Sequence, residues 1–290
     1  MQPLSTSAPS GTTRPCARPL QALPGAAWLL GLAVAATLAA PAQLQAKDFA
    51  STQAQPRTEH WQRRQADIDT QLQDTAALPA YRLVFVGDSI TDFWLFENNP
   101  WGKGRYGRRI WDESFVGRDP ANRALNLGIS GDRLEHVLHR LKPRAEGGLG
   151  VLDAPGLKPE FLVVLIGINN TWAGEEPLAD SVFAGVQAVL TSLRQRQPQA
   201  RLIVQSLLPT NEPEKNRDVV LPVNQRLVAL LASPPWAGQA RYLDLYASFV
   251  DGQGRQIASL FTDGLHPNED GYRVWRDRLL PTLQQARKER

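Results

Sequence analysis

Four short blocks of this chain hold the residue types from which nucleophilic acyl transfer can be built: Gly87-Asp88-Ser89, Gly128-Ile129-Ser130-Gly131-Asp132, Gly167-Ile168-Asn169-Asn170 and Thr262-Asp263-Gly264-Leu265-His266-Pro267. A serine hydroxyl is a weak nucleophile until a base takes its proton, and an imidazole does this best when a carboxylate holds its other ring nitrogen. Asp263 stands three residues before His266, so one loop can present that pair, and the order Ser, Asp, His is one that such sets adopt. A glycine lets a backbone N–H approach a ligand, and an asparagine amide is a neutral donor to a developing negative oxygen. Each block also has a plainer reading. Asp and Ser cap helices, and Gly and Asn make turns. An Asp-x-x-His pair can hold a metal, although no further His or Cys follows a strand here. Ser130 is the rival serine, but its block lacks the Gly-x-Ser-x-Gly spacing of a nucleophile elbow.

Other residues near these blocks invite the same two-sided reading. Trp94, Trp101 and Trp172 follow the site segments and suit an apolar or sugar-stacking wall, of which Trp94 and Trp172 are taken as the candidate substrate contacts; tryptophans fill cores equally well. His136 and His139 are three apart on an expected helix and read as surface or packing residues in the absence of a third ligand. Lys103, Arg105, Arg108 and Arg109 make a basic loop that suits either an anionic substrate or open solvent.

Residues that meet from such distant blocks need a scaffold that returns the chain repeatedly to one edge. Apolar runs at 83–86, 124–127, 161–166, 202–207 and 242–245 show no polar alternation and read as strands buried on both faces. Between them, residues 178–196 and 223–231 place apolar side chains on one stripe, with further helical patterns at 134–141 and 270–283 and an extra leading helix at 60–78. Five strands alternating with helices predict an α/β fold, a three-layer α/β/α sandwich on a five-stranded parallel sheet. Ligands in such sheets gather beyond the carboxyl ends of the strands, which is where the blocks fall. Segments 98–120 and 143–159 are long, rich in Gly, Pro and charge, and are expected as loops at a pocket rim.

The chain of 290 residues opens with Arg14 and Arg18 and no acid, followed by an apolar run at 26–40 and small residues. That order is a signal peptide, with cleavage expected after Ala42 or Ala46, and the run is too short for a stable membrane span. The protein is therefore expected to be exported, to the periplasm or beyond. Residues 1–46 are assigned to the signal, 47–58 to a flexible mature N-terminus and 59–290 to a single domain. Without the signal the net charge falls from +3 to +1, which gives no electrostatic reason to bind nucleic acid. The one cysteine, Cys16, lies in the signal, so disulfides and cysteine catalysis are excluded.

Taken together the four blocks resemble the SGNH hydrolases, or GDSL-type esterases, most closely the branch of the platelet-activating-factor acetylhydrolase catalytic subunits. Gly87-Asp88-Ser89, Gly131, Asn169, and Asp263 with His266 carry the match, which covers residues 82–272 and includes the stretch 124–132 and residues 197–201 ahead of the fourth strand. The resemblance implies a flavodoxin-like fold and a serine ester hydrolase that needs no cofactor and no metal. Ser89 would be the nucleophile and His266 the base, oriented by Asp263. The Ser89 and Gly131 backbone N–H groups and the Asn169 side chain would form the oxyanion hole. Asn170 stands where the wider family more often has Asp. The implied substrate is a short-chain, most simply acetyl, ester of a carbohydrate or lipid-like alcohol. A lipase-like activity on longer chains and a non-catalytic glycan or lipid binder on the same scaffold are the alternatives.

Overall fold

Strands built from uninterrupted apolar runs have no face to give to water and must be covered on both sides. The computed structural model describes residues 48–57 and 61–289 and shows that arrangement; the signal peptide expected at 1–46 lies outside the described residues. Strands β1 (Leu83–Gly87), β2 (Ala124–Asn126), β3 (Phe161–Leu165), β4 (Arg201–Gln205) and β5 (Ala240–Leu243) form one parallel sheet in the order β2-β1-β3-β4-β5. β1 and β3, buried throughout, run side by side from Leu83↔Phe161 to Gly87↔Leu165. The helices are α1 (Gln62–Gln73), α2 (Ser89–Asp92), α3 (Arg108–Ser114), α4 (Leu134–Leu141), α5 (Leu178–Arg196), α6 (Pro213–Lys215), α7 (Leu221–Leu231) and α8 (Glu269–Lys288). α4 packs on α5 and α5 on α7 in one layer, while α3 packs on α8 in another. This is the expected three-layer α/β/α sandwich. The first crossover leads outward to β2 and the next returns past β1 to β3, so a crevice opens at the carboxyl ends of β1 and β3.

The differences from expectation have local causes. The leading helix is shorter than 60–78, since α1 ends at Gln73 and a separate turn, Leu78–Ala80, carries Pro79. α6 widens through a π turn, Asn216–Val220, before α7; Pro222 lacks the N–H that a regular turn would use, which hid the earlier start from a pattern search. Segment 98–120 is not all loop: α3 forms within it and buries Ile110 and Trp111. Segment 143–159 is anchored by buried Val151, Leu152 and Leu157.

The N-terminal segment expected to be flexible is instead docked over its described part, 48–57. Phe49 and Ser51 are buried, and the Ser51 hydroxyl donates to the Ser181 carbonyl at 2.7 Å. Glu175 accepts from the Ala50 and Ser51 amides, and the Gln55 amide donates to the Glu135 carbonyl. The segment is polar, yet its polar groups find partners on α4, α5 and the loop before α5.

An aromatic cluster fills the space between β1 and the α3–α8 layer. Phe85 meets Trp94, Trp111 and Phe115 edge-on, and Trp94 lies against Tyr272 and Trp275 of α8. The Tyr272 hydroxyl leaves this cluster to donate to the Ile90 carbonyl of α2 at 2.7 Å, tying the last helix to the first turn after β1.

Candidate active site

β1 ends at a glycine because nothing larger fits. A Cβ on Gly87 would stand 2.1 Å from Thr91 Oγ1 and 2.3 Å from the Leu165 carbonyl, so only glycine lets α2 fold back against β3. Asp88 caps α2, its Oδ1 accepting from the Ile90 amide at 3.0 Å, and Ser89 begins the helix, 4 % exposed. α2 is a single four-residue turn, so any helix dipole behind Ser89 is small. What the turn supplies is the Ser89 amide, which has no acceptor among the described residues.

The loop after β5 returns to this point. The Thr262 amide donates to the His266 carbonyl at 2.9 Å and closes the loop. Within it, Asp263 Oδ1 accepts from the Leu265 and His266 amides at 3.0 and 2.8 Å. The other oxygen, Oδ2, lies 2.7 Å from His266 Nδ1, and His266 Nε2 lies 2.9 Å from Ser89 Oγ. Three groups separated by up to 177 residues are thus hydrogen-bonded in series. Partial burial works against the Asp263 charge, but the hydrogen bonds from the His266 ring and the two loop amides outweigh it and hold its pKa down to about 2. Asp263 is therefore a carboxylate at any working pH, and Nδ1–H donating to it leaves Nε2 free to accept from the serine.

The donor side comes from the loops after β2 and β3. Ile129, Ser130, Gly131 and Asp132 form a tight turn closed by the Asp132 amide donating to the Ile129 carbonyl at 3.1 Å. Gly131 sits at its third position with φ +79°, as a type II turn requires. The Gly131 N–H has no acceptor among the described residues. Asn169 donates one side-chain N–H to the Asp132 carbonyl at 2.8 Å, which leaves its second N–H for a ligand. Asn170 plays a different part: its Oδ1 accepts from the Leu134 amide and its Nδ2 donates to Glu135, fixing this loop to the start of α4.

Asp132 is the site residue that sequence reasoning missed. Its side chain is 1 % exposed and its Oδ2 pairs with Arg140, itself buried, at 2.7–2.8 Å. Arg140 also donates to the carbonyls of Leu127 and Gly87, so one guanidinium ties the ends of β1 and β2 together. The signal available was an acid and a base eight residues apart across a helix start, which is not distinctive.

Asp88 shows the cost of this crowding. Burial, helped by the nearby charges of Asp132 and Asp92, pushes its carboxyl up to about 7 against the pull of the Ile90 amide, and its Oδ2 has no hydrogen-bond partner among the described residues. A carboxyl raised in the folded state stabilises fully below its unfolded value near 4, and that stabilisation is lost as pH rises through about 7. Asp88→Asn keeps the capping oxygen and cannot ionise. Its melting temperature relative to wild type is expected to rise by a few degrees between pH 5 and pH 8, as thermal melts across that range would show; a constant difference contradicts the assignment.

Of the tryptophans, Trp94 is not a substrate contact. It is fully buried in the aromatic cluster, because the turn after α2 directs it down behind β1 rather than into the cleft. Trp172 is half-exposed with Lys215 Nζ 3.8 Å above its ring, so that face is occupied by a cation. Trp101, 69 % exposed, lines the cleft of about 520 Å³ that holds Phe93, Lys103, Ser130, Asp263 and His266. In the basic loop Arg105 and Arg109 pair with Glu269 and Arg108 with Asp112, leaving Lys103 as the loop's cation on the cleft. His136 Nδ1 accepts from the Arg133 amide. No group of three potential metal ligands occurs among the described residues.

A parallel sheet that brings a hydroxyl, an imidazole and a carboxylate into one hydrogen-bonded series at its carboxyl edge belongs to an ester hydrolase. Residues 85–274 match the GDSL-like Lipase/Acylhydrolase family, and the chain belongs to that family. Over 191 residues it is 35 % identical to platelet-activating factor acetylhydrolase IB subunit alpha2 of Rattus norvegicus and 33 % identical to subunit alpha1 of Homo sapiens, covering 66 % of this chain and 70 % of each relative. Among solved structures it resembles a GDSL-like lipase from Bacteroides thetaiotaomicron, with a TM-score of 0.54 and 20 % identity over 76 % of this chain and 98 % of that one. A member of the lipolytic G-D-S-L family from Veillonella parvula gives a TM-score of 0.51 at 21 % identity, covering 70 % of this chain and 98 % of that one.

Proposed function

We propose that this protein is an exported serine esterase that removes short acyl groups, acetyl above all, from a carbohydrate or lipid-like alcohol. The reading is carried by the unbroken series Asp263–His266–Ser89, with contacts of 2.7 and 2.9 Å. Ser89 Oγ attacks the ester carbonyl as its proton passes to His266 Nε2. The carbonyl oxygen becomes negative between the Ser89 and Gly131 N–H groups and the free N–H of Asn169. As the tetrahedral carbon collapses, the C–O bond to the alcohol breaks and the alcohol leaves with the proton from His266. Water then gives a proton to His266 and attacks the acyl-enzyme, releasing the acid and restoring the Ser89 hydroxyl.

Because His266 protonates the leaving alcohol, the alcohol half of the substrate occupies the cleft on the imidazole side. Trp101, exposed and backed by the buried ring of Phe93 at 5.4 Å, offers that half an apolar face, and Asn99 and Lys103 offer polar edges. This mixture suits a sugar ring better than an extended alkyl chain. The similarity to acetylhydrolase subunits supports a short acyl group.

The test is a series of aryl esters from acetyl to dodecanoyl, followed by acetylated sugars against acetylated glycerolipids. Highest kcat/KM is expected for acetyl, and for sugars over lipids. A maximum at eight carbons or beyond overturns the acyl assignment, and absence of reaction with a fluorophosphonate overturns catalysis itself.

A further inference from the structure

We propose that Arg57, on the docked N-terminal segment, is a positioning residue that sets the direction of the Gly131 N–H; the inference rests on the oxyanion role given to that N–H above. Residues 129–132 form a turn closed by the Asp132 amide on the Ile129 carbonyl. Its central peptide joins Ser130 to Gly131, and in a trans peptide the C=O and N–H of one plane point opposite ways. A turn of this kind has a near neighbour, type I, reached by flipping that one peptide. Glycine at the third position resists the flip least, since it is at ease with φ of either sign. The unaided loop therefore has two directions for its amide, and only one of them serves a negative oxygen in the cleft.

Arg57 removes the choice. Its Nη1 donates to the Ser130 carbonyl at 2.6 Å and to Asp132 Oδ1 at 3.2 Å, bridging the residues on either side of Gly131. The guanidinium lies so close that a Cβ on Gly131 would stand 2.6 Å from Arg57 Nη2. By holding the carbonyl outward, the cation turns the N–H of the same plane the opposite way. The segment that delivers it is itself anchored, through Ser51 to Ser181 and through Gln55 to Glu135, so the clamp carries the docking of residues 49–57 into the site.

Arg57 can be removed without stranding a buried charge. Asp132 keeps Arg140 at 2.7–2.8 Å from within, and Arg140 holds the strand ends. The Arg57 side chain is 20 % exposed, whereas that of Arg140 is 3 % exposed.

The experiment compares Arg57→Ala, Arg57→Lys and Asn169→Ala by steady-state kinetics on an acetyl aryl ester, with melting temperatures recorded for each. Losing a whole oxyanion donor costs roughly 10²- to 10³-fold in kcat, the loss expected for Asn169→Ala. Arg57→Ala leaves the donor present but free to flip. Its kcat is expected to fall about 10- to 100-fold with KM within about twofold of wild type. Lysine keeps one charged donor and is expected to recover part of the loss, as is added guanidinium with the alanine variant. If kcat of Arg57→Ala stays at the wild-type value while Asn169→Ala is impaired, the clamp is wrong and the oxyanion reading stands. If both variants keep full kcat, the oxyanion reading falls and takes this inference with it. A rise in KM alone with Arg57→Ala also overturns the proposal, since it would make the residue a substrate contact.

Discussion

Ser89→Ala is expected to lower turnover of an acetyl aryl ester by about 10⁴-fold or more, with the fold intact. Removal of one member of a nucleophile–base–carboxylate set leaves only the modest catalysis of oxyanion stabilisation and binding, some 10³- to 10⁴-fold over water. Ser89 Oγ makes one side-chain contact, to His266 Nε2, and alanine keeps the backbone of α2 and its capping by Asp88. Melting temperature should stay within a few degrees of wild type. The rival hydroxyl, Ser130, lines the same cleft but has no hydrogen bond to His266 among the described residues, whereas Ser89 Oγ lies 2.9 Å from Nε2. Kinetics and fluorophosphonate labelling on the same preparation provide the check. Labelling that survives the substitution would locate the nucleophile elsewhere.

Asp263→Asn is expected to cost nearly as much, about 10⁴-fold in kcat, for a reason of proton placement. The asparagine oxygen can still accept from the Leu265 and His266 amides, so the loop keeps its shape. The other terminal atom becomes an NH₂ group facing His266 Nδ1 and can only donate. Nδ1 must then accept, the ring proton moves to Nε2, and the nitrogen facing Ser89 can no longer take a proton. Asp263→Ala removes the acceptor without imposing the wrong tautomer, and should lose less activity while destabilising the loop more. Equal activity of the asparagine variant and wild type at pH 7 would exclude the carboxylate from the mechanism.

Much of the fold was legible because its strands announce themselves: 83–86 and 161–166 are apolar without interruption, and a strand buried on both faces can be little else. The site blocks were legible for a related reason, since they stand where those strands end. What stayed hidden depends on direction or on partners far away in the chain. Trp94 follows the nucleophile segment by five residues, and nothing in that spacing reveals that a turn sends it under the sheet. Helix α3 is seven residues of mixed charge whose one apolar face, Ile110 and Trp111, is too short for a periodicity. The segment 48–57 is polar, and its docking rests on hydrogen bonds to residues 73 to 130 positions later, which no local pattern encodes. Arg57 was unreadable on the same ground, whereas Asp132 and Arg140 stand only eight residues apart but at a spacing common to many helix starts.

The bond from the Tyr272 hydroxyl to the Ile90 carbonyl has a bearing on accuracy. Measured through the sheet, the proposed base His266 and the proposed nucleophile Ser89 are joined by way of β1, β3, β4 and β5, and small errors in strand spacing would add along that path. The phenol offers a shortcut. Ile90 adjoins Ser89, and Tyr272 lies six residues beyond His266, so the two halves of the proposed proton relay are gauged against each other across a 2.7 Å hydrogen bond. A misplacement of about 1 Å can cost 100-fold in rate. The spacing of Ser89 and His266 is thus set at the last helix as well as through the outer strands.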